Sequence, residues 1–516
     1  MESASGQRLG PRTRLTLLIA DGCIMSFALW VLVSMALKTR TELVYNVKRA
    51  KYGGPLTWPA KWFHLRSLSA MGRSTTFVAL MLILTLAYIV AIYLVKRDNR
   101  RSMTLVLGGF FALFVVLFLF IPPFMTRDVY SYTFYGRVMS VYHGNPYIMI
   151  PANRPHDVFY PLIGWRYNAS VYGPVFNWLS FSITRIAGNK VALNVFSFKF
   201  LAIAFYAACL PIIYSLTRRV SPGRENLALA VSAWCPILLI HICGGGHNDS
   251  LVAFFVIAGF LLYRKERAFL GLLVVTVAVM VKVTAVLALA PYVILYVRDK
   301  RGRPLPRLAA AAGGLAFVAA VSYLPFWKGM ETFGSLKHMS KLYSFSSVPR
   351  LISIQVQRVL LKTGMTGVKA EALANSWVQL AFLGIFALVT LYFLTRVKDF
   401  HSMITATAAI TLVWFLTSIY ILPWYLVTGL MVACVAGWNY TTGAYIVVAG
   451  FFTLYHIPGT TVPRIPWTGS LGADVYLSVP FLLIFLIWIL LGVRFLLKHR
   501  KTKAIEGPVT EALDEA

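Results

Sequence analysis

Long apolar runs separated by short polar turns dominate this chain from about residue 14 to residue 497. Most runs approach the roughly 20 residues that a helix needs to cross a bilayer, and the alternation of barrel strands is not seen. Hydrocarbon forces every backbone polar group to bond within its own segment, so unbroken runs of this kind favour helices. The pattern therefore predicts an all-α, polytopic transmembrane helix bundle of about 12–14 spans.

The hydropathy of the runs places the individual spans. A moderately apolar piece that opens at Tyr172-Gly-Pro174 and ends near Ile186 is left out of the count, because counting it would put Arg218-Arg219 outside. We predict an interfacial or re-entrant helix there, which the membrane tolerates where protein covers it. The predicted spans lie at about 14–37, 75–95, 103–122, 189–216, 226–243, 249–263, 267–281, 283–298, 307–326, 376–396, 402–422, 424–439, 442–457 and 474–497.

Basic residues in the short loops predict the orientation of the bundle. The chain carries 49 Lys+Arg against 18 Asp+Glu, a formal net charge of +31. The positive-inside rule places both termini, the polar tail 501–516 and the basic loops in the cytoplasm. The same count puts the equally basic loop 38–73 outside, where its length weakens the rule. The loops expected in the cytoplasm are 96–101, 218–219, 264–267, 298–303 and 498–503.

Composition narrows the class of protein. The chain is 58% hydrophobic and 13% charged, with a mean hydropathy of +0.70, which excludes an ordinary soluble protein. No soluble segment interleaves basic and aromatic residues, so the positive charge does not indicate nucleic-acid binding. It suits the anionic inner leaflet instead. The five cysteines show no CxxC spacing, so neither a zinc site nor a disulfide framework is predicted.

Four polar features are predicted to meet on the external face. They are the loop 123–188 that contains Asp128, the turn Gly244-Gly-Gly-His-Asn-Asp249, the hinge Val281-Lys282 and the segment Leu422-Pro-Trp-Tyr425. A second external loop, at about 327–375, carries further basic residues. The end of the bundle that holds these features is where we expect the chemistry.

Asp128 lies just beyond the apolar run that ends at Ile121-Pro-Pro123. A carboxylate at this boundary could deprotonate a sugar hydroxyl, while the neighbouring Arg127 holds an anion. The surrounding tyrosines, among them Tyr130 and Tyr132, could stack on a sugar ring. An interfacial ion pair or a helix N-cap explains Asp128 as well, and an aromatic belt explains the tyrosines, so the residues alone leave the choice open.

The glycine turn and the hinge carry two further candidates. The turn needs the glycines, and Asn248 or Asp249 would cap the next helix, but neither explains His247, which could bind a phosphate or a sugar hydroxyl. Lys282 interrupts an apolar stretch from residue 268 to residue 297. A phosphate contact and snorkelling to the interface both account for it.

Other polar or aromatic positions are less informative. A helix break with belt aromatics is enough to explain Pro423-Trp-Tyr425. Asp21 in the first span and Lys199 in the fourth are intramembrane charges that face the bundle or snorkel to its edge.

The motifs lie in a recognisable order from about residue 120 to residue 430. They are Asp128 with Tyr130 and Tyr132, Gly144-Asn-Pro-Tyr147, Tyr172-Gly-Pro174, Gly246-His-Asn-Asp249, Lys282 followed by Pro291, and Pro423-Trp-Tyr425. As a set they resemble the GT-C class of integral-membrane glycosyltransferases. The strongest resemblance is to bacterial polyprenyl-phosphate-mannose-dependent mannosyltransferases.

This resemblance implies one catalytic domain over residues 1–500, with its active site on the external face. It implies a polyprenyl-phosphate hexose donor, with mannose expected first, and inverting transfer to a glycan, glycolipid or protein acceptor. No tightly bound cofactor is expected. A divalent metal is not indicated, because the paired acidic form of the loop motif is absent: Arg127 precedes Asp128 and Val129 follows it. That departure leaves the sugar open.

The resemblance also implies roles for individual residues. Asp128 would be the catalytic base. The donor phosphate would be held by Lys282, His247, Arg350 and Arg127. The sugar or lipid pocket would be lined by Tyr130, Tyr132, Asn145, Tyr172, Asn248, Asp249, Trp424 and Tyr425.

Two other functions stay open at this point. A transporter or flippase for a lipid-linked sugar would show internal repeats and charges near the bilayer midplane, whereas here the polar groups gather at one face. A non-catalytic scaffold would tolerate any change at Asp128.

Overall fold

The computed structural model describes residues 9–38, 54–299, 302–339 and 347–455. Throughout these ranges the chain is helical, and the only β contact is an isolated bridge between Lys328 and Met330. The predicted all-α polytopic bundle is confirmed. The predicted span 474–497, the basic cluster 498–503 and the tail 501–516 lie outside the described residues.

The first half of the bundle contains ten helices within the described ranges. Their bounds are α1 (Pro11–Lys38), α2 (Trp58–Trp62), α3 (Ala70–Val95), α4 (Arg101–Leu119), α5 (Asp128–Ser140), α6 (Pro174–Ala187), α7 (Val191–Val220), α8 (Glu225–Ala233), α9 (Pro236–Leu238) and α10 (Asp249–Arg264). The 14-residue α6 is the helix predicted after Tyr172-Gly-Pro174, and it is too short to cross a bilayer.

The second half runs from α11, which ends at the hinge before Lys282, to the end of the described chain. Its helices are α11 (Ala268–Val281), α12 (Val286–Arg298), α13 (Pro304–Tyr323), α14 (Gly334–Met339), α15 (Val348–Lys362), α16 (Gly367–Thr395), α17 (Phe400–Thr417), α18 (Leu426–Val435) and α19 (Tyr440–Tyr455). Short helices α14 and α15 occupy the predicted second loop.

Seven helices of the described chain are long and apolar enough to cross a membrane alone, and a bent pair, Glu225–Ala233 with Pro236–Gly244, raises the number to eight. Several of the predicted spans are shorter apolar helices, such as Ala268–Val281 and Pro423–Val435. The first of these helices ends at a backbone break, before Lys282, and the second begins at one, after Leu422. The chain is therefore a multi-pass membrane protein in which several spans are broken, as bundle interiors permit.

The breaks gather at one end of the bundle. A π-helix, Leu239–Gly244, leads into the glycine turn, and Lys282 leaves the helical region with φ −156° and ψ 128°. Leu422, just before Pro423, is also extended, with φ −133° and ψ 146°. Side chains at such breaks are free to point into a shared space instead of along a helix face.

The basic loops lie at the opposite end. The Arg100 side chain donates to the Pro11 carbonyl at the start of α1. Arg224 donates to the Lys96 carbonyl at 2.6 Å. These bonds join the loops 96–101 and 218–224 at the end away from the helix breaks. Because α3 runs back from this end, its start at residue 70, and with it the basic segment 54–69, lies at the Asp128 end.

The two intramembrane charges have different surroundings. The Lys199 ammonium donates to the Phe118 carbonyl in the last turn of α4 and, at 2.8 Å, to the Ile121 carbonyl just beyond it, so it satisfies backbone groups at the end of this helix. Asp21 is buried in α1, and its Oδ2 has no hydrogen-bond partner among the described residues.

Candidate active site

Asp128 is the first residue of α5 and is buried, with its side chain 11% exposed. Its backbone N–H donates to Thr126 Oγ1 at 3.1 Å, and Arg127 occupies the N-cap, so Asp128 is not the cap. The indole of Trp165 donates to Asp128 Oδ1 at 3.2 Å. Burial raises the pKa of this carboxyl from 3.8 to about 6, against the lowering by the Trp165 hydrogen bond and the Lys282 charge.

His247 stands beside this carboxylate. Its Nδ1 lies 3.6 Å from Asp128 Oδ2 and 3.5 Å from the Tyr132 hydroxyl. The imidazole stacks on the indole of Trp424, with ring centroids 3.7 Å apart and planes inclined by 18°. The turn that presents it needs Gly246, whose φ is +75° and whose Cα leaves no room for a Cβ beside Val129. The stack fixes the ring plane against Asp128.

Lys282, at the break between α11 and α12, forms an ion pair with Asp249, the first residue of α10. The ammonium lies 2.8 Å from Asp249 Oδ1 and 3.0 Å from Oδ2. It also lies 4.6 Å from the centroid of the Tyr425 ring, within the range of a cation–π contact. Asn248 is the N-cap residue of α10, one of the two caps that the sequence predicted, although its side chain makes no capping bond. Asp249 forms the ion pair with Lys282.

The Tyr172-Gly-Pro174 motif docks the external loop on the lysine hinge. The Gly173 N–H donates to the Val281 carbonyl at 2.9 Å. A Cβ on Gly173 would overlap the Met280 carbonyl, so only glycine permits this approach. Tyr147 donates to the Tyr172 carbonyl at 2.9 Å. The spacing of these motifs therefore has a packing reason, because they hold Tyr172 next to Lys282.

A cleft with an empty volume of about 470 Å³, part of it open to solvent, lies between these elements. Asp128 and Lys282 both lie on its wall. Of the residues predicted for the sugar pocket, Tyr172, Trp424 and Tyr425 line it. The remaining lining residues are Ser131, Tyr135, Trp165, Asn168, Val171, Tyr420 and Leu422.

Sequence reasoning missed Trp165, Ser131 and Tyr420 as cleft residues. Trp165 is 37 residues from Asp128 in a loop without hydrophobic periodicity, so no pattern marked it. Ser131 follows Asp128 by three residues on α5 and therefore faces the same side of the helix, a signal that could have identified it. Its hydroxyl is buried and has no partner among the described residues.

Several predicted site residues do not line the cleft. Arg350 donates to Asn375 Oδ1 at 2.8 Å and pairs with Glu371 at 3.0 Å, which ties α15 to α16. Asn145 donates to the Phe326 carbonyl at 2.7 Å. Tyr130 is buried within α5, and Arg127 forms its N-cap. The phosphate or sugar contacts predicted for these four residues stay predictions.

Two predicted residues lie behind the lining. The ring of Tyr132 packs edge-on against Tyr172, with centroids 5.0 Å apart. The side chain of Asn248 is buried, and neither its Oδ1 nor its Nδ2 has a partner within the described residues. Buried amides are normally bonded, so an unpartnered one next to His247 is suited to a ligand.

A smaller cavity, about 330 Å³, lies on the other side of Tyr425. Asp249 and Tyr425 line it together with Leu287, Thr411 and Trp414. The Lys282–Asp249 pair therefore lies between two spaces: Lys282 lines the cleft that contains Asp128, and Asp249 lines the second cavity. Among the described residues, no group of three or more His, Cys, Asp or Glu side chains is placed to hold a metal ion, and metal independence stays a prediction.

Fold and site together define a multi-pass membrane protein with an enzyme-like cleft at one end of a helix bundle. Comparison with known proteins shows what the chain is similar to. Residues 50–298 match the family model described as alpha-(1->6)-mannopyranosyltransferase, N-terminal domain. That segment contains Asp128, His247 and Lys282.

Three relatives carry the same description. The chain is 29% identical over 334 residues to alpha-(1->6)-mannopyranosyltransferase A of Corynebacterium glutamicum, which covers 60% of this chain and 67% of the relative. It is 32% identical over 211 residues to alpha-(1->6)-mannopyranosyltransferase A of Mycobacterium tuberculosis, which covers 39% of this chain and 39% of the relative. Identity to alpha-(1->6)-mannopyranosyltransferase B of Corynebacterium glutamicum is 27% over 171 residues, which covers 32% of this chain and 28% of the relative.

These matches confirm the resemblance to the GT-C mannosyltransferases that the motifs predicted. The chain is a relative of the alpha-(1->6)-mannopyranosyltransferases, and the findings support a membrane mannosyltransferase.

Proposed function

We propose that the protein transfers a hexose, with mannose the expected sugar, from a polyprenyl-phosphate donor to an acceptor hydroxyl. The observation that carries this proposal is Asp128, a buried carboxylate with few bonds on the wall of a cleft whose other side holds Lys282. The names of the relatives support a mannosyl group. The acceptor is a glycan, a glycolipid or a protein.

Asp128 is the general base of the proposed reaction. Its carboxylate accepts the proton of the acceptor hydroxyl while that oxygen attacks the anomeric carbon and the bond from this carbon to the phosphate oxygen breaks. Attack from the side opposite the phosphate inverts the configuration. The pKa of about 6 keeps Asp128 ionised at neutral pH and brings it nearer the value suited to a base.

The leaving group departs as polyprenyl phosphate, which is already an anion, so no general acid is required. Cationic and hydrogen-bonding groups must stabilise its charge instead. Lys282 is the principal candidate because it lies on the cleft wall. His247 and the unpartnered amide of Asn248 directly precede Asp249, the ion-pair partner of Lys282, in the glycine turn. No tightly bound cofactor or metal enters this scheme.

The cleft is proposed to face the outside of the cell, with both termini in the cytoplasm. The support is the placement of the basic loops 96–101, 218–219 and 264–267 at the other end of the bundle. The donor would then reach the site through the membrane, with its phosphate near the Lys282–Asp249 pair.

Purified protein incubated with radiolabelled polyprenyl-phosphate mannose and membrane lipids tests this proposal. We expect labelled mannose in a new product and stoichiometric release of polyprenyl phosphate. Polyprenyl-phosphate glucose serves as the control donor and should react at least tenfold more slowly than the mannose donor. A tenfold difference in rate corresponds to about 1.4 kcal/mol of transition-state discrimination. Movement of intact donor across vesicles without product would contradict a transferase and favour a flippase.

A further inference from the structure

The basic segment 54–69 forms a second site, well away from the polar cleft in sequence. A cavity with an empty volume of about 660 Å³ is lined by Lys38, Lys61, His64 and Arg66, together with Ala60 and Ser67. Lys38, Lys61 and Arg66 are basic side chains, and His64 adds an imidazole ring. Within the described residues, no carboxylate pairs with Lys61 or Arg66. The cavity therefore gathers several basic side chains in one place.

The walls of this cavity are built by packing and not by a loose loop. The Ala60 N–H donates to Ser34 Oγ of α1 at 2.8 Å, and the Trp30 indole donates to the Pro55 carbonyl at 3.0 Å. His64 ends α2 in the left-handed region, with φ +47°, which turns the chain so that Lys61 and Arg66 line the same space. The cations are thus held in place by helix α1.

Aromatic side chains lie directly below the cations. Trp62 packs edge-on against Trp30 of α1, with ring centroids 5.2 Å apart, and Phe63 packs against Phe27 at 6.0 Å. Trp30 precedes Lys38 by eight residues, so these rings lie roughly 12 Å below the end of the helix. Trp58, Trp62 and Phe63 are each 44% or more exposed. Exposed rings at that depth lie at the level of the lipid headgroups and upper chains.

The position of these cations in the bundle argues against a role in setting the orientation of the protein in the membrane. They lie at the same end as Asp128, whereas the other basic loops gather at the opposite end. The positive-inside rule therefore does not account for them. A cationic pocket above a ring of lipid-facing aromatics fits a phosphate group that is attached to lipid chains, since the chains would lie against the rings while the charge lies among the cations.

We infer that this pocket, lined by Lys38, Lys61, His64 and Arg66, binds the headgroup of an anionic membrane phospholipid. It is a lipid site separate from the proposed donor site at Lys282. An anionic phospholipid, a free phosphate ion and a polyprenyl phosphate all carry a phosphate group that the cations could bind. The aromatic floor favours a bilayer phospholipid, because it lies beside the pocket on the lipid-facing surface and not inside the bundle.

The test is a titration of the full chain, purified in a nonionic detergent, with dioctanoyl phosphatidylglycerol. The double variant Lys61→Gln/Arg66→Gln removes two exposed cations of the pocket. A basic residue near a membrane surface contributes about fivefold in affinity, so Kd should rise about 25-fold. The matched control, Arg97→Gln/Arg101→Gln, removes two exposed cations at the other end of the 26-residue helix α3 and should leave Kd within about twofold.

Three competitors separate the possible ligands. Dioctanoyl phosphatidylcholine and inorganic phosphate should each bind at least tenfold more weakly than phosphatidylglycerol. Equal Kd values for inorganic phosphate and the lipid would show a plain anion site and overturn the inference. A polyprenyl phosphate that displaces phosphatidylglycerol with higher affinity would assign the pocket to the donor lipid and overturn it as well. Equal losses in the two double variants would show only bulk charge attraction, with the same consequence.

Discussion

Two carboxylates held by the same helix show how differently this molecule uses acidic side chains. Asp157 is buried, and its carboxylate accepts three hydrogen bonds. Arg137 Nε donates to it at 2.9 Å, the Tyr142 hydroxyl at 2.6 Å and the Phe159 N–H at 2.8 Å. Asp128, at the other end of α5, receives one bond of 3.2 Å from Trp165 and has His247 at 3.6 Å.

The difference separates a structural carboxylate from a chemical one. Asp157 already accepts three hydrogen bonds and does not line the cleft, and its network includes a bond from Arg137 to Asn189 that fastens the external loop to the start of α7. Asp128 faces a cleft with unused lone pairs and a raised pKa. A carboxylate that is buried yet poorly bonded is costly for stability, which is typical of a site kept for chemistry.

The largest expected effect on transfer is that of Asp128→Asn. The amide keeps the size of the side chain and a hydrogen bond with Trp165 but cannot accept the proton, so turnover should fall by about 10²–10⁴. The assay is transfer of radiolabelled mannose from polyprenyl phosphate at saturating donor. Wild-type turnover in a folded Asp128→Asn protein would show that Asp128, like Asp157, has no role in the chemistry.

A smaller loss is expected for Lys282→Gln. Removing the cation that faces the cleft takes away stabilisation of the departing phosphate, and kcat/KM should fall by about 10²–10³. Lys282→Arg keeps the charge beside Asp249 and should recover part of the activity. Lys265→Gln, in the basic loop at the opposite end, is the matched control and should transfer at the wild-type rate. If Lys265→Gln and Lys282→Gln lose activity equally, the cation has no specific role.

Asp157→Asn should have the opposite effect to Asp128→Asn: it should lower stability and leave transfer nearly unchanged. Breaking a buried ion pair costs about 3–5 kcal/mol of folding free energy, so the midpoint of thermal unfolding in detergent should fall clearly below that of the wild type. Transfer by the folded fraction should stay within about threefold, because Asp157 does not face the cleft. A stable Asp157→Asn protein with lost turnover would place Asp157 in the chemistry and contradict the comparison.

The parts of this picture that depend on local pattern could be predicted from the sequence. The apolar runs predicted the helices, and the interruption at Lys282 predicted the hinge that brings it to the Asp128 end. The confirmed resemblance came from motifs whose order reflects packing, as in the contact of Gly173 with Val281. Charge clusters gave the two ends of the bundle.

Contacts between distant segments could not be predicted in the same way. Nothing in the pattern shows that Trp165 donates to Asp128, or that Glu371 and Asn375 already occupy Arg350. Lys199 resembles a functional charge until its two carbonyl partners near the end of α4 are known. The turn sequence predicted a cap for α10 at Asn248 or Asp249, and Asn248 has that position, but the pairing of Asp249 with Lys282 was not predicted.

The most direct test of Asp128 as the base is the pH dependence of kcat/KM for transfer. Only the ionised carboxylate accepts a proton, and its pKa is raised from 3.8 to about 6. Activity should therefore be constant above pH 7 and fall about tenfold per pH unit below pH 6. The residual activity of Asp128→Asn should lack this fall. A wild-type profile that stays flat down to pH 5, or a fall that persists in Asp128→Asn, would contradict the account.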